Sequence, residues 1–221
     1  MKLGVIIPVF NHIYYTIKAV ETLVQNTASD YVLIIVDDGS TDDTADYIRE
    51  LERRNISIRY HKNIKNEGVH YSWNRGLEIA KAEAVDYICV ANNDIMFAPN
   101  WDLPLIGTLE QSNGIVSPLQ TTHAFPDDWP HGETRRKNDG ELPILGCCFM
   151  FRSSLIDETG LFPEAMRYYF GDNWIVKECE KRGYLCSHIH SSYIHHFFSE
   201  TSSKLDNNYW FEKDREEYLR L

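Results

Sequence analysis

A handful of acidic, amide and imidazole side chains stand where the chain would leave a strand or enter a helix. Asn92-Asn93-Asp94 closes the apolar run Tyr87 to Ala91. Such a run, flanked by polar residues, is expected of a strand buried on both faces. Where it leaves an open α/β sheet, the carboxyl edge is where ligands bind. Asp94 offers a hard oxygen ligand there, suited to Mg²⁺ or Mn²⁺ on a diphosphate; an Asx-rich turn would show the same three residues. Asp37-Asp38 closes a second apolar run, Tyr31 to Val36. Asp172 stands at a predicted helix start, where a carboxylate is either a cap or a base. His195-His196 ends a late strand, and adjacent strand residues point to opposite faces, so at most one serves a given site.

The elements that must position these groups alternate. Leu3 to Val9 reads as a buried strand, and Ile13, Ile17, Val20 and Val24 follow at helical spacing. Tyr31 to Val36 is the second strand, and Ser40 or Thr41 can cap the helix carrying Ala45, Ile48 and Leu51. Ile56 to His61 is a third strand, Asn66-Glu67-Gly68 a turn, and Trp73, Leu77 and Ala80 mark the inner face of the helix before Tyr87. Four strands alternating with helices predict an α/β fold, a mostly parallel central sheet with right-handed crossovers. Beyond Pro99 the pattern loosens. A helix near Trp101 to Glu110 and a strand at Gly114 to Pro118 precede a long polar loop, Gln120 to Gly140. Ile144 to Arg152 is apolar again, with Gly146 small enough for close approach to the backbone. Asp172 or Asn173 should cap a helix ending near Gly183, and Asp206 to Leu221 reads as a helix lying across the domain or against a partner.

Composition narrows the function. A chain of 221 residues suffices for one large domain. A net charge of −11 disfavours a broad grip on nucleic acid, which relies on Lys and Arg displacing counterions, although Arg135, Arg136 and Lys137 form a local basic patch. Five cysteines, an odd number without paired metal spacing, read as reduced thiols. No apolar run reaches membrane-spanning length, so the expectation is a cytoplasmic protein acting in solution or peripherally at the inner membrane surface.

VIIPVFNH, then IIVDDGSTDDT, then NEGVHYSWNRGLEIAKAEAVDYICVANND, in that order, resembles the opening half of a family 2 glycosyltransferase. ILGCCFMFRSSLIDETGLFPE and YYFGDNWIVKECEKRGY resemble that family's acceptor-side half, and the Asn-rich NND resembles its rhamnosyltransferase-like branch. The resemblance implies a GT-A fold in one domain. Residues 1–97 would bind the nucleotide sugar, 98–205 would form a smaller, partly antiparallel acceptor portion, and 206–221 a helical tail.

It also implies roles. Pro8, Phe10 and Asn11 would line the nucleotide pocket, and Asp38 would accept from the ring N–H of a uracil- or thymine-type base. Asn66, Gly68 and Asn74, with Asn92 and Asn93, would lie against the UDP- or dTDP-sugar donor. The family's Asp-x-Asp reads here Asn92-x-Asp94, leaving Asp94 as the principal carboxylate on Mn²⁺ or Mg²⁺. His195 or His196, with His195 narrowly preferred, would complete the metal site and tilt it towards Mn²⁺. Asp172 would be the general base of an inverting transfer; the family's preceding Glu is Gly171 here. Gly146, Cys147, Phe149 and Trp174 would shape the acceptor site for a glycan or lipid-linked oligosaccharide, with Trp174 equally able to be a core residue.

Two other readings compete. A sugar nucleotidyltransferase would show a Gly-rich, Arg-containing loop after the first strand, where this chain has Pro8-Val9-Phe10-Asn11. A silent nucleotide-sugar binding module would explain both Asn92 and the missing acid at Gly171. A dinucleotide-dependent dehydrogenase is disfavoured, since no G-x-G-x-x-G follows any strand.

Overall fold

A computed structural model describes residues 1–121, 143–197 and 207–221. The four N-terminal apolar runs become the strands β1 (Lys2–Val9), β2 (Asp30–Asp37), β3 (Ile58–Lys62) and β4 (Tyr87–Ala91), joined by the helices α1 (Ile13–Asn26), α2 (Thr44–Arg53) and α3 (Val69–Ala82). All three pairings among these strands are parallel. Their side chains alternate between two cores, as the period-2 pleat requires. Leu3, Val5 and Ile7 with Leu33 and Ile35 pack against α1 and α2. Ile6, Val32, Ile34 and Val36 pack against Trp73, Leu77 and Ala80 of α3. Both faces are covered, which is why these strands read as unbroken apolar runs.

The sheet runs β3-β2-β1-β4-β7-β6-β8-β5. Here β5 is Ile95–Phe97, β6 Gly114–Thr121, β7 Cys148–Arg152 and β8 Leu185–His196. The helices α4 (Asp102–Gln111), α5 (Leu155–Thr159), α6 (Gly171–Glu180) and α7 (Asn207–Arg220) complete the described elements. The antiparallel portion is a continuation of the same sheet: β7 runs against β4 and β6, and β5 against β8. A parallel β6–β8 pairing brings the parallel total to four of seven, so the sheet is mostly parallel, as expected.

Chain order reverses across β1, which has β2 on one side and β4 on the other. Two successive crossovers diverging from one strand leave a crevice at the strand carboxyl ends. That crevice is where Asp38 and Asp94 emerge.

Several local expectations change. The three-residue β5 was not anticipated, and β6 runs on to Thr121 rather than ending at Pro118. The rest of the predicted Gln120–Gly140 loop, with its basic patch, lies outside the described residues. Neither Ser40 nor Thr41 caps α2; Ser40 Oγ instead accepts the Asn11 N–H, while Asp42 takes the N–H and hydroxyl of Thr44. Asp172 lies inside the first turn of α6, preceded by Phe170 in the left-handed region, and so is not its cap. Among the described residues no helix is long and apolar enough to cross a membrane.

Candidate active site

A cleft of about 440 Å³ opens at the switch point between β1 and β4. Pro8 and Phe10 line it from the end of β1, beside Asp38, whose N–H donates to the Val9 carbonyl at 2.7 Å. The two adjacent aspartates have separate work. Asp37 is wholly buried, accepting from Ser40 N–H at 2.6 Å and Tyr60 hydroxyl at 2.7 Å with Lys62 Nζ 3.4 Å away, and it braces the sheet edge. Asp38 faces the cleft. Its Oδ1 accepts from Asn63 Nδ2 and Glu67 N–H, both at 2.8 Å, and its Oδ2 from Gly68 N–H at 2.9 Å. Gly68 holds φ at 101°, a region that L side chains rarely adopt, so its N–H reaches the carboxylate at no steric cost.

The strand β5 pairs Ile95 with His196 and Met96 with His195, bringing the end of β8 back beside β4. His196 Nε2 stands 3.2 Å from Asp94 Oδ1, and both line the cleft. The preference for His195 is therefore reversed: His195 is not among the lining residues and packs edge-on against Phe197 at 4.9 Å. Asn92 and Asn93 also line the cleft, with Asn92 N–H donating to the Cys147 carbonyl at 2.8 Å and Asn93 Nδ2 to Thr16 Oγ1 at 3.0 Å. Burial opposes a charge on His196, but hydrogen bonding to Asp94 and Cys147 overrides it and raises the imidazole to about 10. Burial also pushes the Cys147 thiol up.

Asp94 and His196 fit a divalent cation as a pair. A carboxylate oxygen and an imidazole nitrogen at this separation either share a proton or flank a cation. Among the described residues no group of three or more His, Cys, Asp and Glu is placed to hold a metal by itself. Remaining ligands would come from the Asn92 side-chain carbonyl, a bound phosphate or water.

Asp172 lines the same cleft from α6, next to Gly146 and Cys147. A Cβ at position 146 would crowd Asp172 Oδ2, so any larger residue there would push that carboxylate aside. Burial pushes the Asp172 carboxyl above the usual carboxylate range, against the pull of the Asn173 N–H at 2.9 Å. Asp94 and Asp172, far apart in sequence, thus share one hollow.

Not every expected residue is there. Asn11 bridges two loops, its Oδ1 accepting from Thr41 N–H at 2.8 Å, and does not line the cleft. Gly68 acts through Asp38 and does not line it either. Asn74 spends its amide on the Phe162 backbone, donating at 2.8 Å and accepting at 2.9 Å, which clamps a distant loop to α3. Phe149 and Trp174 are core residues, both packed around Phe162. Sequence reasoning missed His70, Trp73 and the run Tyr168-Tyr169-Phe170, all of which line the cleft. His70 is fully buried and hydrogen-bonded through Nδ1 to the Met166 carbonyl at 2.7 Å; burial lowers it to about 4, so it is neutral. A His one turn before Asn74 on the inner stripe of α3 was the available signal.

Comparisons with known proteins bear on the family and the fold. The model of the family described as Glycosyl transferase family 2 matches residues 4–160, more than half of the chain. A Rickettsia bellii protein named as an uncharacterized glycosyltransferase is 32% identical over 116 residues, covering 52% of this chain and 16% of that one. A Campylobacter jejuni protein, GalNAc(5)-diNAcBac-PP-undecaprenol beta-1,3-glucosyltransferase, is 32% identical over 88 residues, covering 39% and 28%. This chain therefore spans well under half the length of these relatives. The crystal structure of GalNAc-T7 with UDP, GalNAc and Mn²⁺ superposes with a TM-score of 0.72 at 16% identity, over 89% of this chain and 44% of that one. The fold is that of the GT-A glycosyltransferases. By its sequence over residues 4–160, this chain belongs to glycosyl transferase family 2.

Proposed function

We propose that the chain transfers a hexosyl or deoxyhexosyl group from a UDP- or dTDP-sugar to a hydroxyl of a glycan or lipid-linked oligosaccharide, with inversion and with the help of Mn²⁺ or Mg²⁺. The reaction would take place in the cytoplasm or at the inner membrane surface, in polysaccharide assembly. The observation that carries this reading is that Asp94 and Asp172 line one cleft with Asp38. The relative that acts on an undecaprenol-linked glycan and the structural neighbour that holds UDP and Mn²⁺ support the substrate classes.

Asp38 accepts the ring N–H of the base, with Pro8 and Phe10 giving it an apolar wall. Asp94 and His196, with the Asn92 carbonyl, would hold the cation. The chemistry a divalent cation supplies when bound is neutralisation of the charge on the departing diphosphate. Asp172 takes the proton of the acceptor hydroxyl as its oxygen bonds to the anomeric carbon, and the bond from that carbon to the diphosphate breaks with its electron pair. One displacement inverts the configuration. The raised proton affinity of Asp172 suits this task, since a base works best when its pKa approaches the working pH. No nucleophilic thiol is needed.

A panel of UDP-, dTDP- and GDP-sugars tested with Mn²⁺ for thermal stabilisation and release of free nucleotide diphosphate decides the matter. We expect one or more uridine or thymidine donors to stabilise the chain and be consumed. In Asp94→Ala the stabilisation should no longer depend on Mn²⁺. Absence of both stabilisation and release across the panel would overturn the proposal.

A further inference from the structure

The helix α7 presents one face to the cleft wall, residue against residue. Trp210, Phe211, Asp214 and Tyr218 fall on a common side of the helix by their spacing. The Trp210 ring meets Tyr168 edge-on at 5.4 Å, Phe211 meets Tyr169 at 5.5 Å and Phe170 at 5.1 Å, and Tyr218 stacks on Phe170 at 5.4 Å. Among these rings sits Asp214, which has no exposure to solvent. Its Oδ2 accepts the backbone N–H groups of Tyr168 at 2.7 Å and Tyr169 at 2.9 Å. A fully buried carboxylate is costly unless it meets fixed donors, so its presence here calls for an account.

The segment it grips leads into α6 and is held on both sides. On the far side, the Met166 carbonyl accepts from His70 Nδ1 at 2.7 Å and the Arg167 carbonyl from Val69 N–H at 2.9 Å. The Tyr168 hydroxyl donates to Asn66 Oδ1 at 2.7 Å, within the turn whose amides hold Asp38. Phe170 then turns through φ 68° directly into α6, placing Asp172 two residues on. Orientation of Asp172 is thus set by a short left-handed turn, clamped by α3 beneath and by Asp214 above.

We propose that Asp214 is a positioning residue for Asp172: α7 is part of the catalytic unit, and its buried carboxylate fixes the turn that aims the base. This rests on the transferase reading given above. The test measures nucleotide diphosphate release as a function of the concentration of the sugar nucleotide that the panel identifies, alongside backbone hydrogen exchange over residues 168–173. Asp214→Ala should lower kcat by about ten- to a hundredfold, the penalty for a base misplaced by an ångström or less, with donor KM nearly unchanged. Asp214→Asn, which keeps an oxygen for both N–H groups, should recover most of the loss. Glu212→Ala, on the exposed side of α7, should match the parent. If Asp214→Ala does not fold, Phe211→Ala, at a residue 42% exposed, carries the same test with a smaller fall in kcat. Unchanged kcat, or exchange over 168–173 that does not quicken, overturns the role of Asp214. A parent chain that releases no nucleotide overturns the transferase reading, and the exchange result still judges the clamp on its own.

Discussion

Asp38 and Asp172 share one cleft and are held in opposite ways. The first, on the parallel half, receives three N–H donors and is fixed in place. The second, reached through the antiparallel half, is half-buried, meets the N–H groups of Asn173 and of its own residue, and has its proton affinity raised by desolvation. Donors aimed at a carboxylate stabilise its charge, whereas desolvation that donors do not offset raises its affinity for a proton. A group that recognises a ring N–H needs a permanent, oriented acceptor. A base needs a charge that it can readily neutralise. The two halves supply one environment each.

The contrast is tested most severely by Asp172→Asn. We expect transfer to fall by about a thousandfold, within the range of general-base contributions, with calorimetric binding of the nucleotide intact. The same change removes a partly desolvated charge, so the melting temperature should hold or rise; loss of nucleotide affinity together with rate would erase the division of labour. Next is Gly146→Ala, whose methyl group would displace Asp172 Oδ2. It should lower transfer by about a hundredfold or less while leaving the Asp38 end alone, and equal losses of rate and nucleotide affinity would argue against it. Asp38→Asn should do the reverse, weakening nucleotide binding by about tenfold or more, as expected for bonds to a charged group, with a smaller change in kcat.

The smallest effect on rate concerns stability against pH. His70 is lowered from 6.5 to about 4 by burial. Between those values the unfolded chain binds a proton that the folded chain refuses. Stability from this group is therefore complete above pH 6.5 and declines as pH falls towards 4, by about 3 kcal/mol. Melting curves at pH 7 and pH 4.5 should differ less in His70→Phe than in the parent. An identical difference would sever His70 from the acid sensitivity.

Much of the parallel half was legible in the sequence, because two-faced burial produces apolar runs that stop at the polar residues of the crevice. Asp38 and Asp94 were found that way, and Asp172 as the start of a predicted helix in the other half. Selection of His196 over His195 was not, since the β6–β8 register shifts at Pro118/Leu119 and the pleat cannot be counted across an irregularity that the sequence does not mark. A three-residue strand such as β5 has no periodicity to read, yet it is what seats His196 beside Asp94. The resemblance assigned Asn74 to the donor, and its partner in the fold, the Phe162 backbone 88 residues away, leaves no local signal in the sequence. Aromatic Tyr168-Tyr169-Phe170 gave no repeat at all, and its place in the site depends on the docking of α7.

The start of α3 faces the cleft with its first amides already engaged. In many nucleotide-binding folds the free amides at the mouth of a helix form a ready seat for phosphate. Here the mouth is stoppered from within: the Arg167 carbonyl takes the Val69 amide, and Asp38 takes those of Glu67 and Gly68. An anion entering this cleft meets oxygen atoms where a dipole would otherwise greet it. On the proposed reading its negative charge would be balanced from the opposite bank, at the Asp94–His196 corner and by a cation held there.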